Sequence, residues 1–116
     1  MKKFIVLFRE PDGRTREHSK SEAATHGASW KDWLSVWGQK GKIQGGSGLS
    51  LDGRIVKNKG NTITTDIHRN HLEIVGGYLL LQAADFDEAV QIIRTCPIFE
   101  YDGYAEIREL LNQNSF

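Results

Sequence analysis

The chain has 116 residues, which is the length of one compact domain and too short for two independent catalytic domains. Apolar residues make up 39% and charged residues 26%, which excludes a disordered tail and a bundle of membrane helices. Fifteen Lys and Arg residues balance fifteen Asp and Glu residues, without the basic excess typical of nucleic-acid binding. We expect one globular domain at residues 3–110, a polar tail at 111–116, and no nucleic-acid or membrane partner.

The amino terminus resembles a signal peptide only superficially. Lys2 and Lys3 precede the apolar run Phe4 to Phe8, but a secretory core needs about 7 to 15 apolar residues and this run ends at Arg9. The run predicts a strand. Cys96 is the only cysteine, which excludes an internal disulfide and is typical of a reducing compartment, so we expect the cytoplasm.

A long helix is predicted after the first strand. Pro11 to Gly13 has turn chemistry, and the polar residues Arg14 to His18 follow it as a loop. Ser19 and Glu22 have the spacing of a capping box, which predicts a helix from Lys20 to Gln39. Its apolar residues recur at steps of three and four and should share one face: Ala23, Trp30, Trp33, Leu34 and Trp37.

Glycine and β-branched residues between Lys42 and Thr65 predict a meander of short strands. Asp52-Gly53 favours a two-residue hairpin turn, and Asn58 to Asn61 favours a second turn. The segment Gly45 to Gly48 lacks the lysine and hydroxyl of a phosphate-binding loop and does not open a helix. It therefore indicates a bulge or a close backbone approach, which leaves room for a ligand if the strand borders a cleft.

The second half predicts strand, helix and strand. Gly76-Gly77 opens a buried strand at 78–83, and Asp85 with Glu88 caps a helix that Pro97 stops. The last strand is Tyr104 to Glu109, with Ala105 and Ile107 towards the core. The predicted apolar stripe of the helix is Phe86, Ala89, Val90, Ile93 and Cys96, which would leave Cys96 a buried, unreactive thiol.

This order predicts an α+β fold, a ferredoxin-like split βαβ domain with an inserted β-hairpin and both helices on one face of the sheet. The strands at Phe4 to Phe8 and Tyr78 to Leu81 are apolar on both faces, and two helices can cover only one. We expect the other face to pack on a second copy, giving a homodimer of the type called a dimeric α/β barrel.

Several short motifs, in their order and spacing, resemble the YCII-related (YciI-like) family, in particular the subgroup named after its Asp-Gly-Pro-Phe (DGPF) motif. The resemblance covers Lys3 to Leu110 and implies a ferredoxin-like fold, a dimer with a cleft near the sheet, and in some members a His and Asp active site. The motifs are Gly76-Gly77-Tyr78, Asp85 to Ala89, Cys96-Pro97, Ala105 to Arg108, His26, Trp30, Trp33, Leu34, Gly41-Lys42 and Gly48-Leu49.

The sequence departs from the family pattern at two places. Asp66-Ile67-His68-Arg69 stands where the subgroup has Asp-Gly-Pro-Phe, and Cys96-Pro97 stands where many members have Asp-Pro. The second carboxylate of the family's proposed chemistry is therefore missing. By position, only His26 and Asp66 match the residues of that proposed site.

His26 and Asp66 are the candidate catalytic residues. His26 lies on the tryptophan face of the helix, where a neutral imidazole can exchange a proton and Asp66 would fix its tautomer. The alternative is a core histidine bonded to the backbone. Trp30, Trp37, His68 and His71 are candidate ligand-binding residues, although a tryptophan stripe at helical spacing is also typical of a core.

Asp66, His68 and His71 are residue types that bind transition metals, but they lack a cysteine partner and a helical spacing of two histidines. We predict no metal and no cofactor. The predicted function is the binding of a small organic molecule in a cleft near His26, with acid or base chemistry. The alternatives are a non-catalytic binding or regulatory module and, by fold analogy alone, a relative of cofactor-free monooxygenases or haem-binding proteins.

Overall fold

The structure, a computed structural model, describes residues 1–12 and 19–114. The predicted turn residue Gly13 and the predicted loop at 14–18 lie outside the described residues. Two short 3-10 turns, Asn58–Gly60 and Pro97–Glu100, accompany the regular elements. In chain order these elements are β1 (Lys2–Pro11), α1 (Lys20–Gln39), β2 (Ile43–Gly48), β3 (Ile55–Lys57), β4 (Thr62–Thr64), β5 (Glu73–Ala83), α2 (Phe86–Ile93) and β6 (Tyr104–Glu109).

Four strands form one antiparallel sheet in the order β2-β5-β1-β6. In its centre Val6 pairs with Leu79 on one side and with Ile107 on the other. Directly paired residues point to the same side of a sheet, and these three side chains point towards the two helices. We call this side the helix face and the opposite side the open face. The predicted ferredoxin-like α+β fold is confirmed, whereas the dimeric barrel stays a prediction.

The core lies between the helix face and the two helices. Phe4, Val6 and Leu81 are its largest fully buried side chains, and burial of each such side chain stabilises the fold by about 1.5 to 3 kcal/mol. Ala105 and Ile107 pack against this cluster, as their alternation in β6 predicted. The helix face is therefore held by side chains from both central strands and both helices.

Helix α1 begins where the capping box predicted. The Ser19 hydroxyl accepts a bond from the Glu22 amide at 3.0 Å, and the Glu22 carboxylate accepts one from the Ser19 amide at 3.4 Å. Of the predicted stripe, however, only Trp33 is buried, and Ala23 and Leu34 are exposed. The indole N–H of Trp33 donates to the Thr95 hydroxyl at 2.9 Å, which ties α1 to the end of α2.

Helix α2 is shorter than predicted, and its buried face is rotated. Its buried residues are Ala89, Ile92 and Ile93, whereas Phe86 and Val90 remain 46% and 41% exposed, so those two positions of the predicted stripe were wrong. The helix has only eight residues and ends before Cys96, which caps the following 3-10 turn instead. Among the described residues, no helix combines the length and apolar character that crossing a membrane requires.

The predicted hairpin turn at Asp52-Gly53 is wrong. The hairpin is formed by β3 and β4, and its turn has positive φ at Asn58, Lys59 and Gly60. Gly53 serves a different purpose, because a Cβ there would lie 2.6 Å from the Ile67 side chain. A glycine is required at position 53 by close packing rather than by the backbone angles of a primed turn.

The first residues of the polar tail contact the sheet. The Gln113 side chain accepts a hydrogen bond from the Lys3 amide at 2.7 Å and donates one to the Lys3 carbonyl at 3.2 Å. These bonds extend the pairing of β1 beyond the end of β6. Residues 115–116 lie outside the described residues.

Cys96 should react slowly with Ellman's reagent in the folded protein and rapidly after denaturation. Only 4% of the residue is exposed, and burial raises the pKa of its thiol to about 12, so very little thiolate forms at neutral pH. Because Cys96 is the only cysteine, the absorbance change reports on it alone. Equal labelling rates before and after denaturation would contradict the packing described for this residue.

Candidate functional site

A cavity of about 690 Å³ lies on the helix face, between α1 and the edge of the sheet formed by β2 and β5. We call it the helix-side cavity. Its walls are mostly apolar, and its polar side chains include Glu10 and His26. The lining residues are Phe8, Glu10, His26, Trp30, Leu34, Ile43, Gly45 to Gly48, Gly76 to Leu79 and Ile98.

Glycines form the floor of the helix-side cavity. Gly48 pairs with Gly77 in the sheet, and Gly77 pairs with Phe8, so this row contributes a single side chain to the helix face. Gly46 has φ of +154°, and a Cβ there would lie 2.6 Å from the Tyr78 carbonyl oxygen. The predicted close backbone approach is confirmed, and the missing side chains account for the space beneath α1.

Aromatic rings form one wall of the cavity. The rings of Phe8 and Trp30 meet edge to face, with centroids 5.2 Å apart. Trp30 also contacts Trp33, at 5.9 Å between ring centroids. Trp30 therefore lines the cavity, although it also packs against the core.

The surroundings of His26 fix its tautomer. Its Nε2 accepts a hydrogen bond from the Trp30 indole N–H at 3.0 Å, so the neutral imidazole carries its proton on Nδ1. Nδ1 lies 3.4 Å from the Glu100 carboxylate but is buried and makes no hydrogen bond within the described part of the chain. His26 is thus neither a core histidine bonded to the backbone nor an open proton acceptor, because both ring nitrogens face other side chains.

Asp66 does not accompany His26. It is exposed and pairs with Arg69 at 2.7 Å, and Arg69 also bonds the buried Asp12 at 3.1 Å. Between His26 and Asp66 the structure places no hydrogen bond or ion pair within the residues that it describes. Trp30, and not Asp66, therefore fixes the tautomer of His26. The chain after β4 places Asp66 at another part of the sheet.

Glu10 is the site residue that the sequence interpretation missed. Its carboxylate lies over Gly76, where a Cβ would come within 1.8 Å of the Glu10 Oε1. Burial raises the pKa of Glu10, and the charge of His26 opposes that effect. Among the described residues, none donates a hydrogen bond to this carboxylate, and His26 provides a favourable electrostatic interaction without a direct contact. Alternation could have found it, because Glu10 follows Phe8 by two residues and shares its face.

The other predicted ligand-binding residues lie elsewhere. His68 lines a second cavity of about 630 Å³ that adjoins the open face, where Tyr104 donates a hydrogen bond to Glu73. His71 lines a recess of about 270 Å³, and Trp37 lies beneath the Lys40 ammonium, 4.7 Å from its ring centroid. The structure therefore separates the predicted residues, and their ligand-binding roles stay predictions.

The acidic and imidazole side chains are not grouped as metal ligands. Across residues 1–12 and 19–114, no cluster of three His, Cys, Asp or Glu side chains is arranged to hold an ion. His68 is exposed, and His71 lies in a turn with φ of +60°. The hydrogen bonds of Asp66 go to Arg69 and to the backbone amide of Ile67.

Glu10→Gln should raise the melting temperature at neutral pH. A raised folded-state pKa means that ionising Glu10 costs stability as pH rises through and above the ordinary value of 4.5, and glutamine removes that cost. The difference should vanish well below pH 4.5, where Glu10 is protonated in both the folded and the unfolded state. Thermal melts across this range measure the effect.

Glu106→Gln is the matched control for that measurement. Arg9 donates a hydrogen bond to Glu106 and lowers its pKa, so this substitution should give no stabilisation at neutral pH. A lower melting temperature for Glu10→Gln would show instead that the Glu10 carboxylate makes a stabilising contact in the folded protein.

No known protein-family model matches the sequence. No curated protein matches it either. Among solved structures, the chain is similar to the 5-chloro-2-hydroxyhydroquinone dehydrochlorinase of Burkholderia phenoliruptrix, in complex with 2,5-dihydroxybenzoquinone. The two are 19% identical, with a TM-score of 0.48, over 89% of this chain and 90% of that chain.

Proposed function

We propose that this protein binds a small organic molecule in the helix-side cavity, where Glu10 provides the polar contact. One observation carries the proposal: a half-buried carboxylate that accepts no hydrogen bond from the described residues lines a cavity with apolar walls and a glycine floor. Ligand sites typically combine such apolar walls with a few converging polar groups. A carboxyl group with a raised pKa is also suited to exchanging a proton with a ligand.

The geometry of His26 favours a supporting role for this residue. Proton exchange through Nε2 requires the Trp30 indole bond to open, and Nδ1 faces Glu100. His26 therefore positions the Trp30 wall, and any acid or base chemistry falls to Glu10. The same observation favours the alternative function, a binding module without catalysis, since the predicted catalytic histidine is engaged by the protein itself.

Gly48→Leu should abolish ligand binding while leaving the fold intact. Gly48 shares the helix face with Gly77, and a Cβ at position 48 meets only the Gly76 carbonyl oxygen, at 4.0 Å. A leucine there extends into the helix-side cavity without displacing the backbone. Saturation-transfer NMR with phenethylamine, phenethyl alcohol and phenylacetate, three probes that share a benzene ring, measures binding to each variant.

Gln44→Ala is the control on the same strand. The Gln44 side chain is exposed, does not line the helix-side cavity, and donates a hydrogen bond to the Gly41 carbonyl at 2.7 Å, so its removal should leave binding unchanged. At least one probe should bind the wild-type protein and the control but not Gly48→Leu. Binding that survives in Gly48→Leu would place the ligand outside this cavity and refute the proposal.

We also propose that the protein is a homodimer whose open faces pack together, forming a YCII-related dimeric α/β barrel in the cytoplasm. On the open face, Ile5 of β1 pairs with Leu80 of β5, and Leu7 lies beside this pair on β1. Each is only half-buried in the single chain. Apolar strand positions on both faces are typical of a sheet that is covered on both sides.

Leu80→Lys should convert the dimer to a monomer. The substitution places a charge among the apolar side chains of the open face, where pairing with a second copy would bury it. Sedimentation of the wild-type protein should give about twice the chain mass of 13.1 kDa, and the variant should give the chain mass. A monomeric wild-type protein at micromolar concentration would exclude the barrel arrangement.

A further inference from the structure

Apart from the imidazole of His26, the charged side chains among the described residues around the helix-side cavity are carboxylates. Of the described residues that line it, Glu10 is acidic and none is lysine or arginine. Glu100 adds a second carboxylate behind His26, 3.4 Å from Nδ1. Carboxylates and phosphates are common groups of small metabolites, and a cavity with this lining repels them. The electrostatics therefore favour a neutral or cationic ligand.

The burial of the Glu10 carboxylate favours a cationic over a neutral ligand. Burial of the carboxylate raises its pKa, and none of the hydrogen bonds or ion pairs formed by the described residues compensates for the water that it has lost. A partly desolvated charge without a partner is costly in a folded protein. A cation placed against the carboxylate restores the missing interaction more completely than a neutral hydroxyl group does.

The walls of the cavity suit the apolar part of such a cation. Phe8 and Trp30 present aromatic surface within one wall, and Leu34, Ile43 and Ile98 add aliphatic surface to the lining. Aromatic rings attract organic cations in addition to providing apolar contact. The volume of about 690 Å³ is within the range of cavities that bind small organic molecules.

We propose that the helix-side cavity selects small organic amines, whose protonated nitrogen pairs with the Glu10 carboxylate and whose apolar body lies against Trp30 and the glycine floor. This inference rests on the proposed function and adds the chemical class of the ligand. Gly76 is required for this arrangement, because the Glu10 carboxylate occupies the position that a side chain at residue 76 would fill. The glycine thereby allows Glu10 to turn into the cavity.

The three probes with a shared benzene ring also test this inference. The wild-type protein should bind phenethylamine roughly tenfold more tightly than phenethyl alcohol, the difference expected for one partly desolvated charge pair. Phenylacetate should not bind. Titrations followed by two-dimensional NMR give the three affinities and show whether the shifted signals belong to Trp30.

Two variants assign the preference to Glu10. Glu10→Gln should remove the difference between amine and alcohol, and its melting temperature shows that any loss of affinity is not a loss of folding. Gly76→Ala, which displaces the Glu10 side chain, should reduce the preference for the amine over the alcohol. Unchanged amine selectivity in Glu10→Gln would overturn the inference.

The remaining outcomes separate the two proposals. If phenethyl alcohol or phenylacetate binds as tightly as the amine, and Gly48→Leu abolishes that binding, the proposed function stands and the amine class is wrong. If phenethylamine still binds Gly48→Leu, its site lies outside the cavity and both proposals fail. Failure of all three probes to bind the wild-type protein would also refute both.

Discussion

The rest of the structure depends on how the tryptophans of α1 hold this helix above the glycine-rich edge of the sheet. Trp33 anchors the helix by burial and by its bond to Thr95, while the ring of Trp30 packs edge to face on Phe8 of the sheet. The glycines of β2 and β5 provide no side chains of their own beneath the helix. A cavity results because large side chains hold the helix above a floor that has almost none.

The cavity beneath α1 explains how the helix face accommodates the carboxylate of Glu10. The helix face is otherwise packed with apolar side chains, and a charged group there raises the energy of the folded state. This destabilisation is smaller where the residue faces open volume rather than the core, and Gly76 leaves space for the Glu10 side chain. A residue that lowers stability at a cavity is a feature typical of binding and catalytic sites.

His26 is a residue type suited to acid or base catalysis, but both of its ring nitrogens contact other side chains of the protein. The helical spacing of four residues brings Trp30 directly to its Nε2, and the 3-10 turn brings Glu100 to Nδ1. The imidazole thus connects α1 to the segment before β6. Its contribution is to hold one wall of the cavity, and its neighbour Tyr101 packs against the ring at 4.6 Å.

The sequence by itself determined the strand and helix order, the bounds of α1 and the ferredoxin-like fold, because capping residues and apolar periodicity are local signals. Only the tertiary structure decided which carboxylate stands beside His26 and which face of α2 is buried. It also decided that Asp52-Gly53 forms no hairpin turn, whereas the turn at Asn58 to Gly60 had a local signal in the sequence. Such contacts join residues far apart in the chain, as Glu10 and Gly76 are, and local spacing carries no information about them.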